Sequence, residues 1–215
     1  MTPEEYKQIL SRYLPTEAVE EVYNFMSTHG VHLHITRQRY SKLGDYRWPQ
    51  MGHAFHEISV NGNLNPYHFL MVLLHEMAHL DNYVRFNTQV QPHGYEWQSA
   101  YAQRLNEYLY CFPSDLVSLV RCYAARIPLS RSVEKEIDAL MRHYDAGYDP
   151  EQDLTLDQLS VGDCFTLQER PGRRFQVIAK RRTRWLCRDL VDGKDYAVSG
   201  NALVTKNNSD LEKGK

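Results

Sequence analysis

Apolar residues recur at helical spacing through the first two thirds of the chain and at strand spacing through the last third. A first helix is predicted from Thr2 to about Tyr13, with Pro3 at its start. A second opens at Pro15-Thr16, carries Ala18, Val19, Val22, Tyr23 and Met26 on one face, and stops at Gly30. Val31–Thr36 alternates apolar and polar residues and reads as a strand, with His32 and His34 on its solvated face. Residues 37–49 read as a polar, aromatic connection with a turn at Gly44-Asp45. Ala54–Val60 reads as a second strand, closed by a turn at Asn61-Gly62.

The strongest helix follows. Asn65 is a good N-cap and Pro66 suits the first helical position. Phe69, Leu70, Val72, Leu73, Leu74, Met77 and Ala78 make this helix apolar on most sides, as expected of a buried one. Past His79 the chain turns polar from Asp81 to Gln91. A helix from Tyr95 to about Tyr110 then carries the stripe Trp97, Ala100, Tyr101, Leu105 and Tyr108. Two covering helices are expected, from about Ser114 to Arg126 and from about Arg131 to Tyr144, with Gly147 as a stop.

From Cys164 on, short apolar runs near Phe165, Phe175–Ala179, Trp185–Cys187, Tyr196–Val198 and Ala202–Val204 are separated by turn signals. They predict a small closed or half-closed all-β module of SH3-like size. The expected organisation is an α+β domain over residues 1–148, a linker over 149–156, the β module over 157–206 and a disordered tail over 207–215.

On the buried helix, His75, Glu76 and His79 form an H-E-x-x-H motif. Residues four apart on a helix differ by about 40° in direction and about 6 Å along the axis, so the two histidines can share one cation. Glu76 is turned about 100° from His75 and suits an acid–base role rather than ligation from the same turn. His93, fourteen residues after His79 and ahead of the next helix, is the third candidate ligand. Two helix histidines, a glutamate and a distant third ligand suit a zinc hydrolase, with Zn as cofactor, Glu76 as general base and His75, His79 and His93 on the metal. A histidine pair on a buried helix also needs partners, which a metal supplies. Glu96 is read either as the partner of a ligand histidine's other ring nitrogen or as a first-turn glutamate favoured by the helix dipole. His53, His56, Tyr83 and Tyr95 are candidates for stabilising an oxyanion.

Composition is that of an ordinary globular protein, with 42% apolar and 24% charged residues and a net charge of −2. Nothing in it drives the whole chain toward nucleic acid or membrane. No apolar run approaches transmembrane length, and the N-terminal residues do not read as a signal peptide, so a cytoplasmic location is expected. Cys111, Cys122, Cys164 and Cys187 have no C-x-x-C spacing and read as reduced thiols. Charge is unevenly spread: residues 155–215 carry 12 basic and 8 acidic side chains, a local net of +4. Arg170, Arg173, Arg174, Lys180, Arg181, Arg182, Arg184 and Arg188 cluster around Phe175 and Trp185. Basic residues interleaved with aromatics suit a nucleic-acid surface, and equally a solvated small barrel.

The segments His75-Glu-Met-Ala-His79 and His93-Gly94-Tyr-Glu-Trp97, with Ser41-Lys-Leu-Gly44 and Glu57-Ile-Ser upstream, resemble the SprT-like (Spartan-related) zinc metallopeptidases over roughly residues 16–112. The resemblance implies a zincin-like α+β domain, zinc on His75, His79 and His93, and Glu76 as general base and acid. Some relatives cleave proteins bound or crosslinked to DNA, which would give the basic C-terminal module a purpose. The chain lacks the cysteine zinc ribbon of many relatives, and the β module stands in its place. A non-catalytic nucleic-acid-associated protein with structural zinc, and a metallohydrolase of a non-peptide substrate, are the competing readings.

Overall fold

Local capping and burial set the helices in this computed structural model, which describes residues 2–39, 41–51, 54–127, 131–149, 154–168, 172–182 and 184–207. At the first helix, α1 (Pro3–Leu10), the Thr2 hydroxyl accepts from the Glu5 amide while the Glu5 carboxylate accepts from the Thr2 amide. This reciprocal cap satisfies two otherwise orphaned donors. Helix α2 (Val19–His29) follows a 3₁₀ turn and ends at Gly30, whose φ of 60° lies in the left-handed region that glycine adopts without strain. The chain divides into two compact units, Met1–Ala146 and Gly147–Lys215.

In the first unit, strands β1 (Val31–Thr36), β2 (Gly44–Arg47) and β3 (His56–Asn61) form a sheet in the order β1-β3-β2. β1 runs parallel to β3, and β2 runs antiparallel to it along the edge. Helices α3 (Pro66–Phe86), α4 (Tyr95–Glu107), α5 (Ser114–Ala124) and α6 (Arg131–Met141) follow. α3 is the central helix. Phe69, Leu70, Leu73, Leu74, Met77, Ala78 and Leu80 are all fully buried, packed in one core with Ile58 and Val60 of β3, Val22 of α2, Leu105 of α4 and Leu116 of α5. Each of the larger of these side chains contributes about 1.5–3 kcal/mol relative to exposure, so the helix that carries the histidines is held firmly.

Two expectations are corrected here. Residues 44–47 are an edge strand, not a turn within a connection. Their polar sequence hides the strand, which pairs with β3 through backbone hydrogen bonds and sets Gly44 hard against α3. The helix also does not yield to a polar segment at Asp81 but runs on to Phe86. Its polar residues there have partners: Asp81 forms a two-bond pair with Arg104 of α4, at 2.8 Å for both bonds, and Asn82 is buried.

The second unit is an antiparallel sheet of β4 (Leu154–Thr155), β5 (Cys164–Leu167), β6 (Arg174–Lys180), β7 (Arg184–Asp189), β8 (Asp195–Ser199) and β9 (Leu203–Asn207), in the order β4-β9-β5-β6-β7-β8. Among the described residues that order is linear, with no pairing that closes β4 onto β8. Phe165, Phe175, Val177, Trp185, Cys187 and Val204 form its core with Leu156. The ends of the expected linker and tail therefore belong to the sheet: Leu154 and Thr155 pair with β9, Leu156 is fully buried, and Asn207 ends β9. The remaining linker residues 150–153 and tail residues 208–215 lie outside the described residues. All four cysteines are free thiols, Cys111 and Cys187 being buried. No helix among the described residues is long and apolar enough to cross a membrane.

Candidate metal centre

Helical geometry places His75 and His79 one turn apart on α3, and the chain returns through residues 87–94 to bring His93 against them. The three Nε2 atoms lie 3.3 Å (His75–His79), 3.1 Å (His75–His93) and 3.1 Å (His79–His93) apart. Among the described residues this is the cluster that could hold a metal ion. Ligands about 2.0–2.1 Å from zinc at tetrahedral angles sit about 3.3 Å from one another, so the observed triangle has the size of one face of such a site. Burial also keeps these rings neutral. The His75 ring is pushed down to about 3 by burial and then by the neighbouring His79 and His93, and the His79 ring to about 4 by burial and then by His93. His93 is lowered by burial as well. Neutral imidazoles offer the lone pairs a cation needs, and the donor set fits zinc.

Trp97 backs the cluster. Its ring centroid lies 4.5, 5.3 and 4.6 Å from those of His75, His79 and His93, and its Nε1–H donates to the His75 carbonyl at 3.4 Å. From sequence it is one more member of an apolar stripe. In the fold it is the wall that all three imidazoles share.

Glu76 is 6% exposed. Its carboxyl is pushed up to about 8, chiefly by burial and further by Asp45, against the opposing pull of Lys42 and Arg39. Gly44 of β2 passes so close that a Cβ there would collide with Oε1 and Cγ of Glu76 and with Val72. Glycine at this position lets the edge strand approach the carboxylate. Two cavities meet at this point. One of about 520 Å³ is lined by Tyr46, Trp48, Asn82 and Tyr83 together with the three histidines. The other, of about 370 Å³, shares Gly44, His75 and Glu76 and extends toward His68, Tyr101, Tyr123 and Asp138. The sequence signalled neither Tyr46 nor this second cavity, because both depend on where β2 lies.

His32 and His34 go elsewhere. His32 stacks on Phe55, and His34 stands 3.9 Å from Glu57 on the sheet. Of the oxyanion candidates, Tyr83 lines the larger cavity and His56 is linked to its wall through a 2.8 Å hydrogen bond between Nδ1 and the Tyr46 hydroxyl. Tyr95 is 80% exposed and is not among the residues that line either cavity, and His53 lies outside the described residues. The Glu96 side chain makes no hydrogen bond to a ring nitrogen of the three histidines among the described residues.

The family model described as the SprT-like family matches residues 13–116, a span that contains all of these histidines and Glu76. This stretch is a SprT-like domain. No curated protein matches the chain, and no solved structure does either. The family match stops short of the second unit. There Arg173 lies 2.7 Å from both Asp189 and Asp192 (too oblique at Asp189 for a hydrogen bond), Lys180 lies 3.3 Å from Asp157, and Arg188 lies 2.8 Å from Asp195. Arg174, Arg181, Arg182 and Arg184 are exposed and form no ion pair among the described residues, while Arg170 lies outside them. Phe175 and Trp185 are in the core. The surface around them thus offers charge and no aromatic face on either ring for stacking bases.

Proposed function

We propose that the SprT-like domain is a zinc-dependent peptidase whose metal ligands are His75, His79 and His93 and whose acid–base residue is Glu76. The observation that carries this reading is the convergence of three neutral imidazole nitrogens, 3.1–3.3 Å apart, beside a buried carboxyl in a cleft. Bound there, zinc supplies Lewis acidity, bringing the pKa of a water toward about 7 and polarising a carbonyl. Glu76 does the proton work. Its carboxylate can accept a proton and return it to a leaving amine. Burial holds this carboxyl in place, and Gly44 leaves it room.

The edge position of β2 supports a peptide rather than a compact small molecule. Gly44, Asp45 and Tyr46 line the cleft on a strand that pairs with β3 on its other side, so an extended chain can add beside it. Tyr46, Trp48 and Tyr83 offer aromatic surface to the substrate's side chains. The exposed, unpaired arginines of the second unit support substrates associated with nucleic acid, approached through a polyanion.

Glu76→Gln tests the assignment. It should keep stoichiometric zinc and lower peptide cleavage by about 10²–10⁴-fold. Cleavage at the wild-type rate would remove Glu76 from its role.

A further inference from the structure

The geometry points to Asn82 as the positioning residue for the third histidine, which makes α3 the carrier of two ligands and of the clamp that fixes the other. This rests on the metal-site reading above. Asn82 lies one turn beyond His79 on the cleft face of α3 and is 6% exposed. With the amide oriented to satisfy its neighbours, its oxygen accepts from the Trp97 amide at 3.0 Å and its nitrogen donates to the Glu96 carbonyl at 3.3 Å. The opposite orientation would set oxygen against oxygen and N–H against N–H, so the neighbours decide it.

Both partners belong to the first turn of α4. That turn starts at Gly94, which makes no side-chain capping bond. A helix start leaves amides unsatisfied, and here the cap is supplied by a residue of another helix. The residue just before Gly94 is His93, whose φ of 60° is uncommon for a side chain other than glycine. Such a conformation persists when its surroundings over-determine it. Gln98 Nε2 donates to the His93 carbonyl at 2.9 Å, and Gly94 N donates to the Gln91 carbonyl at 2.9 Å. Asn82 ties Glu96 and Trp97 of the same turn to α3. It also fixes the backbone of Trp97, whose indole packs on all three imidazoles. The distance from His93 to His75 and His79 is therefore set by a helix-to-helix lock rather than by the connection over residues 87–94.

The test is zinc affinity of the full chain, measured by competition with a chelator, together with the visible spectrum of the cobalt-substituted protein. Asn82→Ala should weaken zinc by roughly tenfold to a hundredfold, the range for partners that orient ligands, and shift the cobalt bands as the His93 nitrogen is displaced from its position. Gln98→Ala, which leaves Asn82 in place, should give a smaller loss of the same kind. In a His93→Ala background, Asn82→Ala should add less than about threefold, because its effect runs through His93. Wild-type affinity and an unchanged cobalt spectrum in Asn82→Ala would overturn the inference and leave the metal site standing. So would an equal loss with and without His93. Failure of the wild-type chain to bind zinc would overturn the metal-site reading and this inference together.

Discussion

The cleft face of α3 and the sheet of the second unit treat polar groups in opposite ways. On α3 and at His93 beside it, three imidazoles are pushed toward the neutral form and crowded together, and burial raises the pKa of a glutamate in the metal-free protein. Just before β6, at its end and on β7, Arg173, Lys180 and Arg188 stand beside carboxylates. Groups pushed away from their ordinary ionisation, in a cleft, are suited to chemistry. Charges matched within a sheet mainly keep that sheet together. Ionisable residues thus read as site or scaffold according to whether the fold supplies a matched counter-charge.

The sharpest break of this contrast is at the triad. His79→Ala should remove stoichiometric zinc from purified protein, with a loss in affinity on the order of a thousandfold, about 4 kcal/mol. Retention of one zinc per chain would show that the cluster is not the ligand set. At the other pole, Asp189→Ala should destabilise the second unit by about 2–3 kcal/mol in denaturant unfolding, because its Oδ1 accepts from the Val191 and Asp192 amides and its charge faces Arg173. Zinc binding should not change. A variant as stable as the wild type would deny the paired charges a structural role.

The pH dependence of the metal-free first unit separates the groups on α3. His75 and His79, ordinarily near 6.5, are held at about 3 and about 4. Below about 6.5 the unfolded chain therefore takes up protons that the folded one does not, and stability falls as the pH drops. Glu76 acts in the other direction. Its folded value of about 8 lies above the ordinary 4.5, so the folded state holds a proton that the unfolded state has released. Stability should drop by about 1–2 kcal/mol between pH 6.5 and 8. Between 4.5 and 6.5 the two histidines outweigh the one glutamate. Chemical unfolding across this range should show a maximum near 6.5, and Glu76→Gln should flatten the alkaline side. An alkaline slope that survives in that variant would assign it to another group. The smallest effect is expected in the second unit. Replacing Arg181, Arg182 or Arg184 by Ala should each lower the salt slope of nucleic-acid binding by at most about 0.9, with no change in unfolding. An equal effect from Arg188→Ala would erase the distinction between paired and unpaired arginines.

What could be read from the sequence was what local rules govern. The Asn65–Pro66 start of α3, the Gly30 stop, the β1 span and the His75-Glu76-His79 spacing all follow from capping, φ preferences and periodicity. The H-E-x-x-H spacing with a downstream His-Gly was enough to name His93. Long-range contacts were not legible. Gly-Asp-Tyr-Arg at 44–47 looks like a turn until β3 and Glu76 are placed beside it. Asn82 appears only as a polar residue after the motif, because its partners are backbone groups of α4, which no side-chain pattern reports. Conversely, basic residues around Phe175 and Trp185 suggested a stacking surface, yet β-strand alternation turns both rings inward.

The most direct test of the zinc-peptidase reading is digestion of a mixed peptide library by the purified chain, with and without a chelator, followed by mass spectrometry. The expected result is cleavage that the chelator abolishes and added zinc restores. Cleavage indifferent to the chelator, or none at any zinc concentration, would contradict it.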